Sequence, residues 1–371
     1  MKTKHIFSIF YLAGIFLFGL SSTSIGQSKS TGALVPACSD DRCGYIDRTG
    51  NARIQSNFDE AKTFNSGLAA VRQGAHWGFI DEDGSYQIVG PFSWAGDYSE
   101  DLAVVRDANS GLFGFIDKKG NFVISPKFKS ASNFVNGLAV VNARDRPIFV
   151  NKVGEPVVFD EFESLDTYSG GFSVVSKRFP DGSIRVGYID RRGTSLLPGW
   201  LTYAGRFSDD VAVISTDSRI KPGISRYGLD FDSFDYANFR DFELAYEVID
   251  KSGGRLFTQS ATFFGDFQEG LAAVCQKSKC GYVNKKGRTI IPFRYDVAGE
   301  FHEGRAQVKI GDSNFVIDTL GNEMFKVETT ITRPFSNGMA PFVKCKHREC
   351  EVGYVDRAGK VLWSGHSVVP E

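Results

Sequence analysis

The sequence is poor in the residues that most chemistry needs. Five histidines occur, and His5, His76, His302, His347 and His366 show neither an HExxH spacing nor an adjacent metal ligand. No G-x-S-x-G elbow is present, since GISRYG (223–228) has the wrong spacing. Beyond Leu20 no apolar run approaches the roughly 20 residues that a membrane-spanning helix needs. There is no basic block and the formal charge is −1, so nucleic-acid binding has no electrostatic footprint. Catalysis is therefore not expected, and neither a cofactor nor a resident metal is implied.

One apolar run does occur, at the start. Lys2 and Lys4 precede an apolar stretch from Ile6 to Leu20, and Ser24 and Gly26 fit the small positions of a cleavage site. Residues 1–26 are predicted to be a signal peptide and 27–32 a short linker; the alternative is an uncleaved anchor. The first cysteine, Cys38, lies too far on for a lipoprotein. Cleavage would remove two lysines and no acid, taking the charge from −1 to −3. The expected location is the periplasm or the exterior.

What the sequence has in abundance is repetition. GYIDRTG (44–50), GFIDEDG (78–84), GFIDKKG (114–120), GYIDRRG (187–193), VIDKSG (248–253), GYVNKKG (281–287) and GYVDRAG (353–359) are one motif, with weaker copies FVNKVG (149–154) and FVIDTLG (315–321). Nine copies, mostly 34 to 39 residues apart, indicate a tandem-repeat protein. Each unit offers three strand candidates: a run such as GLAAV (67–71) or GLAVV (137–141), the GFID segment, and a run such as NFVISP (121–126). Short Val/Ile/Phe-rich runs bounded by Gly, Asp and Pro are strand signals, and no room remains for long helices.

The D-x-x-G element reads as a hairpin turn. Asp or Asn accepts main-chain hydrogen bonds from the residues that follow, and Gly takes the left-handed position. Asp47 and Gly50, Asp81 and Gly84, Asp117 and Gly120, Asn151 and Gly154, Asp190 and Gly193, and Asp356 and Gly359 fit this pattern. A calcium roll would need contiguous Gly/Asp nonapeptides, which are missing. An aromatic stands three residues before the Gly or Asp that opens each first strand: Phe64, Tyr98, Phe134, Tyr168, Phe207, Phe267, Phe301 and Phe335. One ring per unit is expected to join neighbours through buried apolar area. A carbohydrate ladder is the alternative.

The ordered pattern GFIDxxGxxxIxPxF…A…F…GLAVV resembles the WG repeat family of bacterial β-repeats, across essentially all of the chain after the signal. Only Trp77–Gly78 keeps the name-giving pair; Phe113–Gly114, Cys43–Gly44 and Cys280–Gly281 stand in elsewhere. The resemblance implies an all-β repeat fold and a binding or surface module.

Six cysteines form three pairs of one spacing, CSDDRC (38–43), CQKSKC (275–280) and CKHREC (345–350), each between a first and a second strand. Of fifteen possible connectivities, the local bridges Cys38–Cys43, Cys275–Cys280 and Cys345–Cys350 are predicted. Zinc binding is the weaker reading, because the pairs lie about 70 or more residues apart.

One unit swells. Residues 215–246 interleave Tyr227, Phe231, Phe234, Tyr236 and Phe239 with Asp230, Asp232 and Asp235. Insertions in repeat proteins fall on loops of one face, often the binding face. Tyr227, Phe231, Asp232, Phe234, Asp235, Tyr236 and Phe239 are the candidate contacts for a protein or cell-envelope glycan; the alternative is a flap packed on the array. The expectation is an all-β array over 33–371 of about nine three-stranded antiparallel units, an open superhelix rather than a closed propeller, because units of this length are short for four-stranded blades. The expected function is a non-catalytic binding scaffold. A glycan hydrolase using carboxylates of the insertion, or a purely structural envelope protein, are the alternatives.

Overall fold

The computed structural model describes residues 34–143, 146–157, 162–166, 168–219, 243–346 and 349–368. The predicted signal peptide and linker, and all seven candidate ligand contacts of the insertion, lie outside them. The described residues are all-β, in small antiparallel sheets that follow the chain order. Unit 2 is representative. Its first strand, Ala69–Gln73, pairs with its second, His76–Ile80, and that strand pairs with the start of Tyr86–Ser99.

A further strand precedes these three. Glu60–Ala61 pairs with Arg72 and Val71, and equivalents recur in the other units, as Ser130–Ala131, Ser164–Leu165, Tyr203–Ala204, Phe263–Phe264, Val297–Ala298 and Thr330–Ile331. In unit 3 it is the second half of Tyr86–Ser99, which welds units 2 and 3 into one seven-stranded sheet. The three-stranded unit read from the sequence is thus corrected to four strands. A two-residue strand carries no β-branched run to announce it. Units 1 and 5 show three strands among the described residues, unit 1 beginning at Val35–Ser39 and unit 5 made of Ser164–Leu165, Ser173–Arg178 and Ile184–Ile189.

The turns form as the motif requires. Asp47 Oδ1 accepts from the Thr49 and Asn51 amides, and the Gly50 amide donates to Asp47 O at 3.0 Å. Asp81, Asp117, Asn151, Asp190 and Asp356 accept in the same pattern. Each turn also docks on its neighbour. A Cβ on Gly84 would lie 3.1 Å from Ile54 of unit 1, on Gly120 2.9 Å from Ile88, and on Gly321 2.9 Å from Ile291. Left-handed φ and close approach both select glycine there.

Between units the aromatics pair. Phe64 lies 4.7 Å from Tyr45, Tyr98 5.0 Å from Phe79, Phe134 4.7 Å from Phe115 and Phe301 4.8 Å from Tyr282, each a contact between consecutive units. Tyr98, Phe134 and Phe301 are fully buried, as joints between units should be.

The same joint is made between the last unit and the first. The Asp40 amide donates to His366 O at 2.8 Å, and Tyr354 Oη donates to Pro36 O at 2.7 Å. Val35, Ala37 and Ile46 of unit 1 share a buried cluster with Met339, Leu362 and Trp363 of unit 9. Gly50 packs on the Leu362 carbonyl as Gly84 packs on Ile54. The array is a closed, propeller-like ring of nine units, and the preference for an open superhelix is corrected. The length argument failed because two-residue hairpins leave enough chain for four strands in about 35 residues.

Candidate functional site

Strand direction sorts the loops. The turn before each first strand and the D-x-x-G turn fall on one face, and the hairpin between first and second strands falls on the opposite face. The turn face is occupied with holding the ring together. Glu100 Oε2 accepts from the Gly137 amide of the next unit at 2.8 Å, Glu269 from Gly304 and Glu303 from Asn337 and Gly338. Cations of the D-x-x-G turns fasten the same joints: Lys152 to Glu100, Lys285 to the Asp209 carbonyl and Arg357 to Glu303. Arg48 carries this rail over the seam to Asn337 Oδ1 at 3.3 Å. A depression of about 530 Å³ lies there, lined by Arg48, Glu303, Asn337, Asp356 and Arg357. Its charges already serve the rail and the turn.

The hairpin face is built differently. All three cysteine pairs are bridged locally, Cys38–Cys43, Cys275–Cys280 and Cys345–Cys350, and each joins partners directly opposite in register. In two of them the tip residues are left-handed without glycine: Asp40 and Asp41 at φ 48° and 62°, Lys277 and Ser278 at 46° and 68°. Such turns normally call on Asn-Gly. A cystine closing so short a loop contributes about 2 kcal/mol, enough to hold a turn whose own residues resist it.

The insertion emerges from this face too. The strands bounding it, Val211–Ser215 and Leu244–Asp250, run further into it than the sequence suggested, so the 215–246 limits contract to 216–243. Its base is tied: Asp217 bonds Arg219 at 2.5 Å, Arg219 reaches Glu243 O, and Ser215 Oγ donates to Ala245 O. Units 6, 7, 9 and 1 therefore place the insertion and three stapled tips on one arc of one face.

Sequence reasoning missed the hub. Asp266 of unit 7 is influenced by Glu300 of unit 8, Arg206 of unit 6 and Asp166 of unit 5. Asp97 of unit 3 is influenced by Lys62 of unit 2 and Arg333 of unit 9. Charges two and three units apart meet only near the axis of a ring, so these residues, which stand one or two before the aromatic of each unit, line the centre. Arg206 is paired twice with Asp166, at 2.7 and 2.8 Å. Lys62 Nζ lies 4.0 Å from the Trp94 ring centroid, and burial lowers its pKa against the opposing pull of Asp97 and Glu60. One oxygen each of Asp97 and Asp266, Oδ1 in both, lacks a hydrogen-bond partner among the described residues. The available signal was the position before the ring, which reads Thr63, Asp97, Asn133, Thr167, Arg206, Asp266, Glu300 and Pro334. Its chemistry varies too much to show as a motif. No group of three or more metal-ligating side chains occurs among the described residues.

Asp266 is enclosed by protein, and burial together with Glu300 pushes its pKa up to about 7, against the opposing pull of Arg206. The unfolded carboxyl titrates near 4, so the folded state holds the extra proton between roughly pH 4 and 7 and stability falls as pH rises through that window. Asp266→Asn is expected to remove this slope, raising the urea midpoint at pH 8 and leaving it scarcely changed at pH 4. The groups facing it, Glu300, Arg206, Asp166, Tyr188 and Tyr203, stay in place. A parallel shift at both pH values would show that the carboxyl titrates normally.

A model of the WG containing repeat matches residues 44–75, 77–109, 113–145 and 281–312. No curated protein matches the sequence. Among solved structures, a eukaryotic initiation factor is 10% identical over 91% of this chain and 96% of its own, with a TM-score of 0.52, a likeness of fold alone. AztD from Citrobacter koseri is 13% identical over 81% of this chain and 95% of its own, at 0.38. The WD40 domain of Toxoplasma gondii coronin is 11% identical over 80% of each, at 0.29.

Proposed function

We propose, from the four WG containing repeats matched in the chain, that it is an exported, non-catalytic scaffold. It binds a protein or a cell-envelope glycan on its hairpin face. One observation carries this reading: the stapled tips of units 7, 9 and 1 and the root of the insertion share one arc of that face, while the turn face spends its charges on the ring. Rigid tips reduce the ordering cost of binding, and the aromatic and acidic residues 227–239 suit stacking on sugars or contact with a basic surface. Three disulfides fit an oxidising compartment, and residues 1–26 supply the export signal.

The test is a crosslinking pull-down from intact cells with four forms of the chain. Deleting 220–242, or combining Lys277→Glu with Lys346→Glu on the exposed hairpin tips, is expected to lose the partner. Lys119→Glu with Lys286→Glu on the turn face is expected to keep it. Loss with the turn-face pair and retention with both hairpin-face forms would refute the proposal.

A further inference from the structure

Unit 5 breaks the pattern at its outer edge. In units 2, 3 and 7 the third strand folds its own main chain onto the second-strand glycine. A Cβ on Gly78, Gly114 or Gly281 would strike the carbonyl oxygen of Ile88, Ile124 or Ile291, at 2.8, 2.6 and 2.5 Å. Gly187 holds the same place in unit 5, yet a Cβ there would meet only Cε3 and Cζ3 of Trp200, both at 3.5 Å. The main chain has lifted away. Its ends stay paired, Ser195 with Ile189 and Leu201 with Val186, and residues 196–200 arch between them. The arch is pinned: the Leu196 amide donates to Tyr188 O at 3.1 Å, and Leu197 Cδ2 would stand 3.0 Å from a Cβ on Gly253 of unit 6. Beneath it lies a cleft of about 500 Å³, within the range of small-ligand sites.

Trp200 stands where Asn57, Lys127 and Arg294 stand in units 1, 3 and 7, one residue before the partner of the second strand's start. Those three are polar; here an indole turns in over Gly187. Phe179, 5.5 Å away and nearly perpendicular, and Phe162, 6.2 Å away, hold the ring in place. Tyr188, Ser195, Leu197, Pro198 and Trp200 line the cleft, and among the described residues no charged side chain does. The charges nearby pair among themselves, Arg178 with Glu163 at 2.6 Å and Arg185 with Asp181 at 2.9 Å. An ionic ligand would lose its hydration here and gain no counter-charge. A fixed indole beside a hydroxyl and main-chain polar groups suits a ligand that is uncharged, apolar on one face and polar at its rim. We infer that the cleft binds a neutral pyranose of a glycan chain. Its C–H face stacks on Trp200, and its hydroxyls bond to Ser195 and to the main chain of the arch. The site lies on the outer rim of unit 5, apart from the hairpin face, and does not rest on what binds there.

Titration of the full chain with maltotriose, cellotriose, mannotriose and triacetylchitotriose tests this, read from the indole N–H resonances of its four tryptophans. At least one sugar is expected to move the Trp200 resonance and leave that of buried Trp77 in place. By calorimetry, Trp200→Ala is expected to weaken that sugar about tenfold or more. Because Trp200→Ala also loses packing on Phe162 and Phe179, Gly187→Ala is the second variant. Its Cβ makes an ordinary contact with the indole, so the fold is kept, and a methyl raised into the cleft is expected to cost about tenfold as well. Deleting 220–242 is expected to leave this binding unchanged, which separates it from the hairpin-face reading. A Trp200 resonance that no sugar of the four moves would overturn the inference, as would equal affinity in both point variants. So would a shift produced only by a short apolar peptide, or sugar binding lost with the deletion and kept by Trp200→Ala.

Discussion

Gly50→Ala is expected to open the ring at its seam and to be among the most damaging single changes in the chain. The residue sits at φ 88°, a left-handed conformation that costs an L-residue about 1–2 kcal/mol. Its Cβ would fall 2.0 Å from the Leu362 carbonyl oxygen of unit 9, a main-chain atom that no rotamer change can move. The equivalent Cβ on Gly120 would meet only the Ile88 side chain. Unit 1 must therefore draw back from unit 9, and a loss of about 3 kcal/mol or more is expected. Gly67→Ala is the control: φ is 83°, nothing lies within 4 Å, and only the conformational cost remains. Urea unfolding gives the two losses, and exchange of the Asp40 amide, bonded to His366 O, reports the seam. Equal losses for both variants would mean that unit 1 does not rest on unit 9.

Phe301→Ala should loosen the ring at the joint between units 7 and 8. The ring is fully buried, 4.8 Å from Tyr282, in a cluster that includes Ile291, Tyr295 and Ala298. Truncating such a ring removes its transfer energy and leaves a cavity, together about 3–5 kcal/mol. Phe122→Ala, on a third strand and 40% exposed, is expected to cost under about 1 kcal/mol. The alternative of a ligand-binding aromatic ladder predicts the opposite: stability nearly unchanged by Phe301→Ala. Circular dichroism against urea separates the two.

What was legible in the sequence is what local chemistry decides. The turn aspartates satisfy amides two and four residues on, so D-x-x-G is complete within its own segment. The cystines join partners of one hairpin, so spacing alone selected their pairing. The inter-unit aromatics were legible because they recur at a fixed distance from the first strand. Closure was not, because it depends on a small rotation summed over nine joints and appears only at the seam, where unit 1 meets unit 9 through Gly50 on Leu362 and Asp40 on His366. The leading strands escaped notice because two residues such as Glu60 and Ala61 carry no period. The hub charges escaped because Asp97, Arg206 and Glu300 occupy one position with different chemistry. The insertion's candidate contacts, Tyr227 to Phe239, lie outside the described residues, and their part in binding rests on the pull-down.

The central claim is that nine units close on themselves. Small-angle scattering of the chain in oxidising buffer tests it most directly. A compact ring of this length should give a radius of gyration of about 20 Å. Nine units stacked about 10 Å apart in an open row would span about 90 Å and give a value above about 26 Å. The lower value, independent of protein concentration, is the expected result; the higher one would contradict the closed ring and the seam on which this account depends.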